Sequence, residues 1–310
     1  MLRHHAFHHT LPASLLQVVP LAMMGALSAG CVVTGAEGRY VEREERRFSV
    51  EGKPDVKLST RDGAIEIRSW DRHEVLVVVE KHAFNKQAAA AMTVSSSQDG
   101  NHVTVDATLP NRGTVSALFW GGLGSAKLIV SVPAASDVQA TTGDGSIDLD
   151  GVQGVLSLRS GDGSIRARQV SGTLAARSGD GSIRLDDITG AVDVNTGDGS
   201  VVATGSFTGV RARSGDGSIG IHAQAGSATE ADWDISSGDG SVTIEVPENF
   251  GAELDAHTGD GRVHLDGLTL SNVSGEIAPN RANGRLGAGG HVMRVRTGDG
   301  SILLKRLTAR

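Results

Sequence analysis

Residues 179–196 read GDGSIRLDDITGAVDVNT, and the same frame recurs along much of the chain. Within it apolar and polar side chains alternate: Ile183 and Leu185, then Ile188, a glycine corner at Gly190, then Val192, Val194 and Thr196. Period two is the pattern of a strand with one face buried. The preceding unit matches position for position, with Ile165, Ala167, Val170, Gly172, Leu174, Ala176 and Ser178. Each unit therefore holds two short strands, with a further inward position at Val170 or Ile188. The inward side chains are small to medium, so the core is narrow.

The Asp of each Gly-Asp-Gly falls at 144, 162, 180, 198, 216, 239, 260 and 299, with spacings of 18, 18, 18, 18, 23, 21 and 39. The last interval holds about two periods and lacks one Gly-Asp-Gly. Two all-β architectures fit such a unit. In a β-solenoid, a single-stranded parallel β-helix, each 18-residue unit is one coil and equivalent residues stack about 4.8 Å apart. In an antiparallel β-meander or sandwich, each Asp-Gly is a type I′ hairpin turn. A coil demands the same residue at the same corner, because each corner sits on the one below. A meander makes no such demand, so the near identity of whole units favours the solenoid.

The repeated Gly-Asp-Gly admits three roles. As a corner, glycine supplies positive φ and Asp accepts backbone N–H groups, helped by the flanking Ser and Thr. As a metal column, Asp144, Asp162, Asp180, Asp198 and Asp216 bring like charges within about 5 Å, and calcium relieves that repulsion. The 18-residue period is twice that of the calcium-binding nonapeptide, but the register differs: Asp180 lies three residues before Ile183, not two. As a charge lattice, Arg159, Arg177, Arg213 and Arg296 stand three before an Asp, and Arg166, Arg168 and Arg184 follow others. The corner is the expectation, and no cofactor is required by it. Catalysis on polysaccharide, as in β-helix enzymes, needs unrepeated groups in a cleft, whereas these acids repeat. The histidines 73, 82, 102, 222, 257, 264 and 291 show no metal-ligand spacing, and no Walker loop, Gly-x-Ser-x-Gly or His-Glu-x-x-His is present.

Before residue 136 the strands are irregularly spaced, with turns at Lys53-Pro54-Asp55 and Arg61-Asp62-Gly63 and a Gly-rich loop carrying Phe119 and Trp120. A solenoid needs a cap at its first coil, and residues 48–135 are assigned that part, ahead of a solenoid over 136–310. Trp120 is the best exposed contact in the loop. Residues 31–47 read as a polar tether, and residues 1–30 as a secretory signal: Arg3, a short apolar run, then small residues before a cut. Ser28-Ala29-Gly30-Cys31 resembles a bacterial lipobox, with Ser28 where Leu is commonest. It implies a lipid on Cys31, the only cysteine, which anchors the chain to a membrane without spanning it. Val32 after it leans toward the outer membrane. The early histidines 4, 5, 8 and 9 lie in the discarded segment. A net charge of −7 leaves no basic surplus for nucleic acid. Aromatics at 3% and 42 glycines suit thin repetitive β structure better than a deep enzyme core.

The serial S/T-G-D-G-S-I/V units from 141 to 302, P-A-A-S-D-V at 133–138 and D-G-A-I-E-I at 62–67 resemble the DUF4097 β-strand-repeat family over roughly 48–308. The resemblance implies a β-solenoid-like surface protein with an adhesin label and carries no catalytic residues. The expectation is an exported, non-enzymatic β-repeat protein of the cell envelope that binds a glycan or another envelope protein. The alternatives are a calcium-stabilised repeat and a β-helix enzyme.

Overall fold

In the computed structural model, which describes residues 31–34, 40–108, 124–273 and 278–307, the strand Ile165–Arg177 lies parallel to Ile183–Thr196. Every paired residue stands beside the one eighteen positions on, Ile165 with Ile183 and Ala176 with Val194. The next junction has that step at both ends, Ile183↔Val201 and Thr196↔Ser214, but Ile188–Gly190 pair seventeen residues on, between register shifts at Leu185/Ile188 and Gly190/Ala191. The parallel ladder excludes the hairpin meander, so the chain is a β-solenoid.

Each coil has a leading face before the Gly-Asp-Gly corner, a trailing face after it and a short third side. In one coil Ile183, Leu185, Ile188, Val192, Val194 and Thr196 are all buried, while Arg184, Asp187, Thr189 and Asn195 between them are exposed. The bend into the third side uses left-handed backbone at Asp187, φ 59°, and at Gly190, φ 125°. Gln169 and Gly172 repeat it one level earlier, at φ 52° and 120°. Most buried apolar side chains form one continuous cluster from Phe48 to Leu304, and Ala83, Ala89 and Met92 form a small second one.

The order of levels departs from the order of the chain at both ends. Asp55–Thr60 pairs with Asp137–Thr142 on one side and with His102–Thr108 on the other, all parallel. Ile65–Trp70 likewise lies between Ile147–Asp150 and Ser125–Pro133. The first coil is thus the second level of the stack, and the repeating stack begins well before residue 136. At the other end, Val292–Thr297 lies between Trp233–Ser237 and Ala252–Thr258. Ile302–Arg306 lies between Val242–Val246 and Val263–Asp266. The last coil is the last but one level.

Antiparallel strands close both ends. Tyr40–Ser49 pairs along its whole length with Glu74–Ala83, which pairs with Ser125–Pro133, so residues 40–47 are cap strand and not tether. Alternation explains this: Val41 and Arg43 face one way and Glu42, Glu44 and Arg46 the other, which a strand tolerates once its edge is paired. Arg281–Leu286 runs antiparallel to Ala252–Thr258, with Leu270–Ser271 beyond it. The 39-residue interval therefore holds a closing hairpin, not a coil without its Gly-Asp-Gly. The 23-residue interval holds the extra loop before Trp233. That indole is fully buried and meets Phe207 at 6.2 Å and Phe250 at 5.1 Å, both edge-on. These aromatics fill the space where the third side is interrupted.

Candidate functional site: the corner column and its flanking faces

The glycines of the corner are not there for positive φ, since none of those in the eight Gly-Asp-Gly units adopts it. They are there for approach. Gly161 N–H donates to Gly143 O at 2.6 Å, Gly215 N–H to Gly197 O at 2.6 Å and Gly238 N–H to Gly215 O at 2.7 Å. A Cβ on Gly161 would lie 2.6 Å from Gly143 O, and on Gly163 it would fall closer still to Gly145 O. Backbone cannot yield there without parting two coils.

The corner is capped by the hydroxyl before it. Ser178 Oγ donates to Gly163 O at 2.9 Å and accepts from Gly181 N at 3.1 Å. Ser160, Ser214, Ser237 and Thr258 make the same pair of bonds, and Thr142 makes it between Gly145 N–H of its own corner and Gly63 O of the level before. These hydroxyls are buried, from 0% exposed at Thr258 to 8% at Ser178. The expectation that Asp does this work is corrected: the inward position three residues before the second glycine reaches both orphaned backbone groups, and the Asp points outward.

Asp144, Asp162, Asp180, Asp198 and Asp216 are all exposed, as are Asp239, Asp260 and Asp299. None accepts a hydrogen bond or pairs with a cation among the described residues. Asp62 begins the same column, since Gly143 N–H donates to Arg61 O at 2.8 Å. That corner was read only as a turn, because Arg61 stands where the first glycine should be. Nine carboxylates thus run down one corner, one per level, about 4.8 Å apart. Among the described residues no three His, Cys, Asp or Glu side chains converge as a metal-binding group.

The arginines expected to neutralise the column turn to acids on the strands. Arg177 reaches Asp193 at 3.5 Å, Arg213 reaches Asp234 at 2.7 Å, and Arg296 pairs with Asp255. On the trailing face Arg168 reaches Asp150 at 3.1 Å and Arg184 reaches Asp186 at 2.9 Å. A shallow open trough there is lined by Glu66, Arg68, Asp148, Asp150, Arg166 and Arg168. Farther along, Glu245 binds Lys305 at 2.6 Å and His222 at 3.0 Å. Burial alone pushes the Glu245 carboxyl up, but hydrogen bonds from Lys305 and His222 outweigh it and hold the group below its ordinary value.

Histidines 73, 82, 102, 222, 257, 264 and 291 are spread over the stack, as their spacing implied. Cys31 begins the short strand Cys31–Thr34, paired antiparallel with residues 40–43 of the N-terminal cap. The Trp120 loop and histidines 4, 5, 8 and 9 lie outside the described residues. Among the described residues no helix is long and apolar enough to cross a membrane.

Among family models, the one described as Toastrack DUF4097 matches residues 53–305. A "putative adhesin" from Bacteroides fragilis is 10% identical over 86% of this chain and 97% of its own, with a TM-score of 0.47. A "putative lipid binding protein" from Parabacteroides distasonis is 12% identical over 86% and 97%, with a TM-score of 0.44. A "putative cell adhesion protein" from Clostridium sporogenes is 11% identical over 86% and 100%, with a TM-score of 0.30. No curated protein matches.

Proposed function

Because the chain belongs to the Toastrack DUF4097 family, we propose that it is a non-enzymatic surface protein of the cell envelope, a β-repeat scaffold with adhesin-like contact faces. The observation that carries this is the stack itself. It presents equivalent outward positions in columns, level after level, on two flat sheet faces. Such a surface suits many weak, equivalent contacts along an extended partner, which add once the first is made. A glycan or another envelope protein fits that description. Export and a lipid on Cys31 complete the reading. The strand that starts at Cys31 joins the N-terminal cap, so a lipid there holds that end of the stack at the membrane, and Val32 after the cysteine supports the outer one.

The test is binding by the immobilised full chain to purified envelope glycans and proteins, with reducing ends assayed in parallel. Salt-sensitive binding without turnover is the expected result; release of reducing ends would reassign the chain to the β-helix enzymes. The nine unpartnered carboxylates favour one second reading, a calcium-stabilised column. A melt in EDTA and in millimolar calcium separates the two. An unchanged midpoint is expected, whereas a rise of about 10 °C or more would mean the metal binds the folded stack selectively.

A further inference from the structure

We propose that two copies of this chain associate side by side, parallel and in register, through the Gly-Asp-Gly corner and the leading face next to it. Two charge columns of opposite sign run along that edge. The first is the row of nine aspartates from Asp62 to Asp260. The second is the outward row of the leading face nearest the corner, where pairing stacks Arg159, Arg177, Asn195, Arg213, Ser236, Arg296, His257 and Arg281 in turn. From Arg159 to the C-terminal cap this face carries eight arginines (159, 177, 211, 213, 281, 285, 294 and 296) against five acids (193, 232, 234, 253 and 255). Asp193, Asp234 and Asp255 are shared among five of the arginines, and Glu253 holds Arg285. The face keeps a surplus of three positive charges within a chain of net −7.

The occupant follows from the two columns together. A linear polyanion drawn to the arginines meets a carboxylate at every level one corner away and brings no cation to it. A second copy pairs both columns at the four levels where Arg159, Arg177, Arg213 and Arg296 precede Asp162, Asp180, Asp216 and Asp299. Arg177 and Asp180 are three residues apart across the corner, so the columns lie no more than about 10 Å apart. A two-fold axis parallel to the stack places the arginine column of one copy over the aspartate column of the other, and the reverse, in one self-complementary contact. A two-fold axis across the stack places arginine over arginine and is disfavoured. Only the parallel arrangement pairs unlike charges, and both copies repeat at the same spacing, so one correct pair sets the register of all. Each exposed pair is weak; repetition along the stack makes the contact, and salt weakens it. Parallel copies also present both N-terminal caps at one end, which rests on the membrane anchoring proposed above; the association itself does not.

The test is sedimentation velocity of the purified full chain in EDTA, at about 0.01 M and 1 M salt, where the screening length falls from about 30 Å to about 3 Å. A dimer at low salt and a monomer at high salt is expected. Reversing Arg159, Arg177 and Arg213 to Glu should leave a monomer at low salt, and so should reversing Asp162, Asp180 and Asp216, at the same levels, to Lys. Mixing the two variants should restore a heterodimer, because at the altered levels one edge is then negative in both columns and the other positive in both. All six positions are exposed, and a melt checks that each variant folds. Should either fail to fold, spin labels on otherwise unaltered chains at Ser146 and, separately, at Ser301 read the same contact. Parallel pairing gives short distances between copies at both positions. A wild-type monomer at low salt, reversal without effect, no restoration on mixing, long label distances, or association that needs calcium would each overturn the proposal. The readout uses this chain alone, so its failure leaves the proposed binding role standing.

Discussion

Replacing Ser178 with Ala removes the hydroxyl that serves two buried backbone groups. Gly163 O loses a donor at 2.9 Å and Gly181 N–H loses an acceptor at 3.1 Å. Ser178 is 8% exposed, so water does not readily replace it. A buried group left without its partner costs about 1–3 kcal/mol, which puts the total near 2–4 kcal/mol. In a domain of this size each kcal/mol lowers the melting midpoint by about 2–4 °C, so a fall of roughly 5–10 °C is expected. Asp180→Ala two residues on should change the midpoint by no more than about 2 °C, since an exposed side chain without partners contributes within about 0.5 kcal/mol. Ser178→Thr should be nearly silent, because Thr196 fills the next level's position with its hydroxyl 2.8 Å from Gly181 O. Melts of the three variants measure this. In a repeat array the loss is partly local, so amide exchange at Gly181 should accelerate in Ser178→Ala alone. If Asp180→Ala falls as far as Ser178→Ala, the hydroxyl is not the cap and the reasoning fails.

Two further outcomes follow from the core and the charged edges. Trp233→Ala should cost about 3–5 kcal/mol as a large cavity opens. Trp233→Phe should cost less, about 1–3 kcal/mol, because it opens a smaller cavity and the buried indole Nε1 has no partner to lose; equal losses for the two variants in urea melts would show that the N–H is bonded. Acid should destabilise the stack. Burial raises the Glu44 carboxyl, but Lys81 and Arg46 overcome this and hold it below its ordinary 4.5, and Lys305 and His222 do the same for Glu245. A lowered folded value means the unfolded chain binds more protons, so this stabilisation is present above pH 4.5 and is lost as pH falls through the lowered values. Midpoints measured from pH 6 down to about pH 3 should fall, less steeply in Glu245→Gln; an unchanged slope in that variant would remove Glu245 from the account.

The coil was legible because its determinants are local and repeated. Ile183, Leu185, Val192 and Val194 recur at one period, and only stacking makes one coil's residue depend on the next. The corner was legible as a position, with the flanking Ser and Thr as helpers, but not in which residue is its main cap. Serine and aspartate both cap turns in isolation, and which one faces inward depends on the level beneath. Glycine at 161 or 163 suggested positive φ, whereas the need comes from a neighbouring carbonyl eighteen residues away. The coil at 55–70 was hidden because Arg61 replaces the first glycine and no second unit follows at the same spacing. The partners of Arg177 and Arg213 were hidden for a related reason. A guanidinium three residues before an Asp is near it in sequence, but Asp193 and Asp234 stand on the adjacent level.

The interleaving of the first and last coils changes what an end means in this molecule. An ordinary solenoid frays by peeling its terminal repeat into solvent. Here the coils at 55–70 and 292–306 are wedged between neighbours, so a protease that trims the termini finds no loose turn to start from. Assembly meets the converse constraint. The first coil lacks one neighbour until residues 137–150 pair with it, and the slot near Trp233 lacks its filling until the strand from Val292 pairs there. Growth by duplication is therefore confined to the middle, where an eighteen-residue turn can be added between 147 and 214 without disturbing either clasp.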